Sequence, residues 1–89
     1  MKIYSVNKVS YSPSEYARLV HEPALAYFRN KEDARNYAKE LRPQLEQEDD
    51  LGKLRIEVFP HEVVKEYLPT VGIIYRFEDG MYIEKADLQ

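Results

Sequence analysis

Eighty-nine residues, 44% hydrophobic and 33% charged, provide for one hydrophobic core in one domain spanning 1–89, and exclude both a disordered chain and a second domain. The formal net charge is −3, and the acids gather at Glu46, Glu48, Asp49 and Asp50, so no global field draws or repels nucleic acid. With no cysteine there is no disulfide framework, thiolate metal site or thiol nucleophile, and without a signal core or a membrane-length apolar run the expected address is the cytoplasm.

Residues 2–11, KIYSVNKVSY, form a predicted strand rich in β-branched and aromatic residues. Ser12-Pro13-Ser14-Glu15 then has the pattern of a capping box, which predicts a short helix over about 13–20. Pro23 ends it, and Ala24 to Arg29 form a second strand, expected to pair with the first. Asn30 caps the clearest element, an amphipathic helix over about 31–47, in which Ala34, Ala38, Leu41 and Leu45 recur at helical spacing. Pro43 lies inside it and predicts a kink; the acidic run to Asp50 forms a loop, and Gly52 marks the exit.

Lys53 to Phe59 alternate as a half-buried strand, with Leu54, Ile56 and Val58 on one face. Pro60 opens a predicted second short helix carrying Val63, Val64, Tyr67 and Leu68, which Pro69 ends. Val71 to Glu78 and Met81 to Lys85 make the last two strands, joined through Asp79-Gly80. The predicted fold class is α+β: a small antiparallel or mixed sheet of about five strands, one long amphipathic helix packed on one face, and two short helices.

No cofactor, metal or catalytic residue is expected. Three dispersed glycines exclude a glycine-rich phosphate loop. The neighbours His21-Glu22 and His61-Glu62 lack the spacing of a metal helix, and no serine has a histidine close to it in sequence. Two surface features remain. Lys31, Arg35, Lys39 and Arg42 fall at i, i+4, i+8 and i+11 and make an anion-contact stripe on the shoulder of the long helix, for which the simpler reading is a solvated edge whose aliphatic stems cover the core. The eight tyrosines exceed what core filling needs, and half-exposed tyrosine favours protein interfaces. The C-terminal surface supplies the partner-binding candidates, Ile74 and Tyr82 on the terminal hairpin and Tyr67 on the second short helix: one face of the hairpin is expected on the long helix, and the other is left to that short helix or to a partner or second copy.

The segment FRNKEDARNYAKEL over Phe28 to Leu41, preceded by KIYSVNKVSY and followed by LRIEVFP, resembles small uncharacterised proteins common in bacteriophage genomes and bacterial mobile elements. The resemblance covers about the first 60 residues and implies a non-enzymatic accessory or host-interaction protein, without assigning a role to any residue. The leading expectation is therefore a small cytoplasmic protein-binding module with an unidentified protein partner, not an enzyme and not membrane-bound; the alternative is a nucleic-acid-associated domain using the basic stripe.

Overall fold

A computed structural model, describing residues 1–13 and 17–89, builds the chain around one long strand. Strand β1 is Lys2–Tyr11, followed by β2 (Arg18–Val20), β3 (Ala26–Phe28), the helix α1 (Lys31–Leu45), β4 (Gln47–Asp49), β5 (Gly52–Leu68), β6 (Gly72–Phe77), β7 (Tyr82–Glu84) and a 3-10 turn at Lys85–Asp87. The strand-to-strand pairings among the described residues are antiparallel, in the order β2-β1-β5-β6-β7, with β3 also on β1 and β4 also on β5. The architecture is thus α+β, a curled sheet with one α-helix among the described residues. Among the described residues, no helix is long and apolar enough to cross a membrane.

The two predicted short helices do not match. In the first, the N-cap Ser12 and first position Pro13 are not helical, residues 14–16 lie outside the described residues, and the last part is β2, paired with β1 from Val9↔Val20 to Tyr11↔Arg18. The second, over 60–68, is the continuation of β5, which runs for 17 residues straight through Pro60. Val63 donates its N–H to the Met1 carbonyl at 2.8 Å, whereas Ile56 donates to the Glu46 carboxylate at 2.9 Å. Successive N–H groups of a strand point to opposite edges, so residue 60 shares the phase of Ile56, away from β1, and proline removes no ladder bond there.

Helix α1 begins where Asn30 Oδ1 accepts the Glu32 N–H at 3.1 Å, with Glu32 and Asp33 complementing the dipole in the first turn. It ends at Leu45, the last residue of its apolar stripe and two short of the predicted bound, where Glu46 turns extended while its N–H still bonds the Arg42 carbonyl; Pro43 lies in the last turn. Ala34 and Ala38 are wholly buried and let the helix approach the sheet closely, against Val6, Ala26, Phe28 and Ile56, with Tyr37, Leu41 and Leu45 at the margins. The ring of Tyr37 lies 5.3 Å from that of Phe28.

The hairpin does not pack on this helix, contrary to expectation. Tyr75, Ile83 and Val63 join Ile3 and Leu88 in a second cluster, flanked by Tyr27, Ile73 and Phe77. Leu88 and Gln89 close this cluster: Gln89 donates to the Tyr27 carbonyl at 2.9 Å, and Arg29 donates to the Gln89 carbonyl at 3.0 Å. Leu88 lies beside Tyr27 in a parallel bridge. The free end of β5-β6-β7 is thereby tied back to β3, so the sheet curls around one apolar interior while α1 covers another part of its outer surface.

The acidic segment is also ordered, not a loop. Glu46 caps the Ile56 N–H at the open edge of β5, Glu48 pairs with Arg55 at 2.8 Å, and Asp49 Oδ1 accepts from Leu51 at 2.8 Å and Gly52 at 3.1 Å. Gly52, at φ 149°, turns into β5 where a Cβ would collide with the Tyr11 carbonyl. These acids hold a turn and a short strand.

Candidate functional site

Alternation along β1 sends Ile3, Ser5 and Asn7 to the inner surface of the curl, opposite His61 and Phe59 of β5, since Ile3 pairs with His61 and Ser5 with Phe59. The apolar filling occupies one end, around Ile3, Val63 and Tyr75. Toward the other end the inward residues become polar, and the curl opens as a trough of about 1010 Å³.

Its floor is a bonded set. Asn7 Nδ2 donates to Ser5 Oγ at 2.7 Å, and Ser5 Oγ lies 2.6 Å from His61 Nε2. The serine hydroxyl carries one proton and two lone pairs, so it can accept from Asn7 and also bond His61 Nε2 in either imidazole tautomer. Burial lowers the His61 pKa below 6.5, opposed by the nearby Asp79 carboxylate, in keeping with a neutral ring. Ser5 and Asn7 are 2% and 5% exposed. Asn7 Oδ1 has no hydrogen-bond partner among the described residues, yet none of their buried side-chain nitrogens or oxygens goes unbonded, so that oxygen is not sealed from solvent, and Asn7 lines the trough.

Aromatic rings form the walls. Phe77 stands edge-on to His61 at 5.2 Å and 5.9 Å from Tyr27. The Tyr27 hydroxyl has a raised pKa, chiefly through burial and then through Glu22, Asp87 and Asp79. On the far side the Arg18 guanidinium lies over the Phe59 ring, 5.0 Å from its centroid. Glu22, Glu62, Glu78 and Asp79 line the same trough. Glu62 faces the N-terminal ammonium at 3.6 Å and Lys2 at 3.9 Å, and Asp79 accepts from Met81 N–H at 2.9 Å. Carboxylates thus outnumber the single guanidinium around an aromatic cleft.

Chemically, Ser5 and His61 have the distance of a nucleophile and its base. Ser5 is nevertheless only 2% exposed as a residue, and no hydrogen bond from another side chain orients the imidazole among the described residues. The histidines were read as isolated in sequence; in space each meets a serine, His21 Nε2 lying 2.6 Å from Ser10 Oγ. Ser5 and His61 are 56 positions apart, and a helix start at Pro60 removes His61 from the strand facing Ser5, so the sequence does not bring the set together. The signal available was Ser5 and Asn7 at the inward phase between Ile3 and Val9.

The sequence-based candidates lie elsewhere. Ile74 is wholly buried and offers no surface. Tyr82, 44% exposed, receives Arg76 at 5.6 Å from its ring, on the face that also carries Val64. Tyr67, 71% exposed, points to the opposite face of the hairpin by strand alternation. Lys31, Arg35, Lys39 and Arg42 are all exposed on α1, and Arg42 also lies 3.9 Å from Glu46 and donates to the Ile56 carbonyl at 3.4 Å. No protein-family model, curated protein or solved structure matches the chain, so the site is read from its geometry alone.

Proposed function

We propose that the protein is a small non-enzymatic binding module, of the accessory kind its sequence resemblance implies, which seats a segment of a partner protein in the trough. The observation that supports this reading is the solvent-open acceptor of Asn7 on a bonded polar floor between aromatic walls, at the mouth of a curled sheet. Polar side chains inside a sheet cost stability, and these three are well bonded to one another but leave a recognition atom over. The deep placement of Ser5 favours recognition over catalysis.

The test is site-specific crosslinking. Met81 lines the trough and is 68% exposed, and Val64, 64% exposed, lies away from it. A photoreactive residue at 81 is expected to trap a discrete protein partner in cells, and one at 64 to trap none. Crosslinks from 64 with none from 81 would sink the trough reading.

A second reading is supported by the exposure of Lys31, Arg35 and Lys39 along one helix shoulder. Were they a nucleic-acid contact, affinity for DNA or RNA would fall steeply with salt, and changing two of them to alanine would flatten the slope. No mobility shift at low salt removes this alternative.

A further inference from the structure

We infer that the trough recognises a guanidinium, presented by an arginine side chain of the partner segment, and that Arg18 is the chain's own placeholder for it. The inference rests on the binding-module reading above and adds the chemistry of the ligand. Three observations converge. A guanidinium already sits at one wall, where Arg18, exposed on β2, lies 5.0 Å over the face of Phe59. Asn7, 5% exposed, lines the same trough, and its acceptor oxygen has no hydrogen-bond partner among the described residues. Glu22 and Glu78, both exposed, line the rim and have no ion pair among the described residues.

The chemistry selects arginine over other side chains. A planar guanidinium stacks on an aromatic face while its edge donates several hydrogen bonds, so one group satisfies the Phe59 ring, the Asn7 oxygen and a rim carboxylate together. Lysine offers a compact charge without a face to stack, and an acidic side chain meets Glu22 and Glu78 as like charges. Because Arg18 uses the same ring, it competes with an incoming arginine, and its exposure lets it swing away without loss of core packing.

The experiment is a titration of the whole protein, followed by NMR, with the blocked tripeptides Gly-Arg-Gly, Gly-Lys-Gly and Gly-Glu-Gly. The arginine peptide is expected to shift the signals of Asn7, Phe59 and His61, the lysine peptide to do so more weakly, and the glutamate peptide not to bind. Removing the competitor in Arg18→Ala should tighten the arginine peptide about two- to fivefold, and Phe59→Leu, which keeps an apolar residue but removes the ring, should weaken it by a similar factor. Glu78→Gln, at an exposed position, should weaken it further at low salt than at high salt. Equal binding of the glutamate peptide, shifts away from the trough, or unchanged affinity in Arg18→Ala would each overturn the inference. A partner trapped from position 81 together with an inert arginine peptide refutes the guanidinium assignment and leaves the binding-module reading standing; no partner and no peptide shift refute both.

Discussion

Leu88→Ala tests whether the final residues close the curl or merely lie on it. Leu88 is 8% exposed and packs with Ile3, Val63, Tyr75 and Ile83. Truncation removes three carbons, worth about 2–2.5 kcal/mol in transfer at ~0.8 kcal/mol for each. A cavity adds to this in a rigid core, but a residue held by one short connection can let its surroundings collapse, which points to the lower part of the usual range, about 2–3 kcal/mol. For a chain of this size a urea slope near ~1 kcal/mol per molar converts that loss into a midpoint lowered by about 2–3 M. Val64→Ala, at a side chain 64% exposed, is the control and should stay within about 0.5 kcal/mol of the parent. If the two variants unfold at the same urea concentration, with the same slope as the parent, Leu88 contributes nothing to the interior and the closed curl is wrong.

Glu46→Ala should cost about 1–3 kcal/mol, because it strands the Ile56 N–H, on a residue 2% exposed, without an acceptor; a loss under 0.5 kcal/mol in chemical denaturation would mean that water reaches this edge. Gly52→Ala should destabilise by about 1–3 kcal/mol through both φ and the clash with the Tyr11 carbonyl, measured as a lowered melting temperature, and an unchanged melt would contradict the turn geometry. His61 has a pKa lowered below 6.5 by burial, so below pH 6.5 the unfolded chain binds the extra proton first and stability falls as pH drops toward the folded value; His61→Gln should lose that part of the slope between pH 7.5 and 5.5, and parallel slopes would disprove the assignment. Tyr82→Asp, on the exposed face of the hairpin, tests self-association by sedimentation equilibrium: a dimeric parent made monomeric supports that face as the contact, and a parent that is monomeric at every concentration eliminates it.

How much of this was legible in the sequence depended on whether the relevant signal was local. Asn30 and the Ala34, Ala38, Leu41 stripe are local, and they locate α1 to within two residues at its end. Asp79-Gly80 is equally local and marks the β6-β7 turn, where Gly80 has φ 93°. Pro60 is different, because the same residue that opens a helix is harmless in a strand when its nitrogen faces an unpaired edge, and only the pairing partner settles which edge that is. Reading it as a helix start broke a 17-residue strand in two and detached the hairpin from the rest of the sheet. The assignment of Val71 to Phe77 to the long helix failed for the same reason: a sheet that curls supplies its own second layer, and that layer is what Tyr75 and Ile83 fill.

The site was less legible than the fold, since its members are far apart in sequence and ordinary one at a time. Ser5 and His61 are 56 positions apart, and each alone reads as a solvated polar residue. The phase is more telling than the residue type: on β1 the sequence Ile3, Ser5, Asn7, Val9 puts two polar groups between two wholly buried aliphatics on one face. In a strand whose other face, through Tyr4 and Val6, packs toward a helix, the expected inward filling would be valine or isoleucine at both positions, which would bond to nothing and leave nothing open. Substituting Ser5 and Asn7 together by valine removes the hydrogen-bonded set and the acceptor in one step, and replacing paired polar groups by apolar ones of similar shape is near neutral or stabilising. The double variant with His61→Phe added, to avoid an orphaned imidazole, should therefore melt at or above the parent temperature while losing the crosslink from position 81 and the arginine-peptide shifts. A triple variant that keeps both would show that the polar floor serves the fold alone; one that gains stability as it loses binding would identify Ser5, Asn7 and His61 as retained for recognition against the preference of the core.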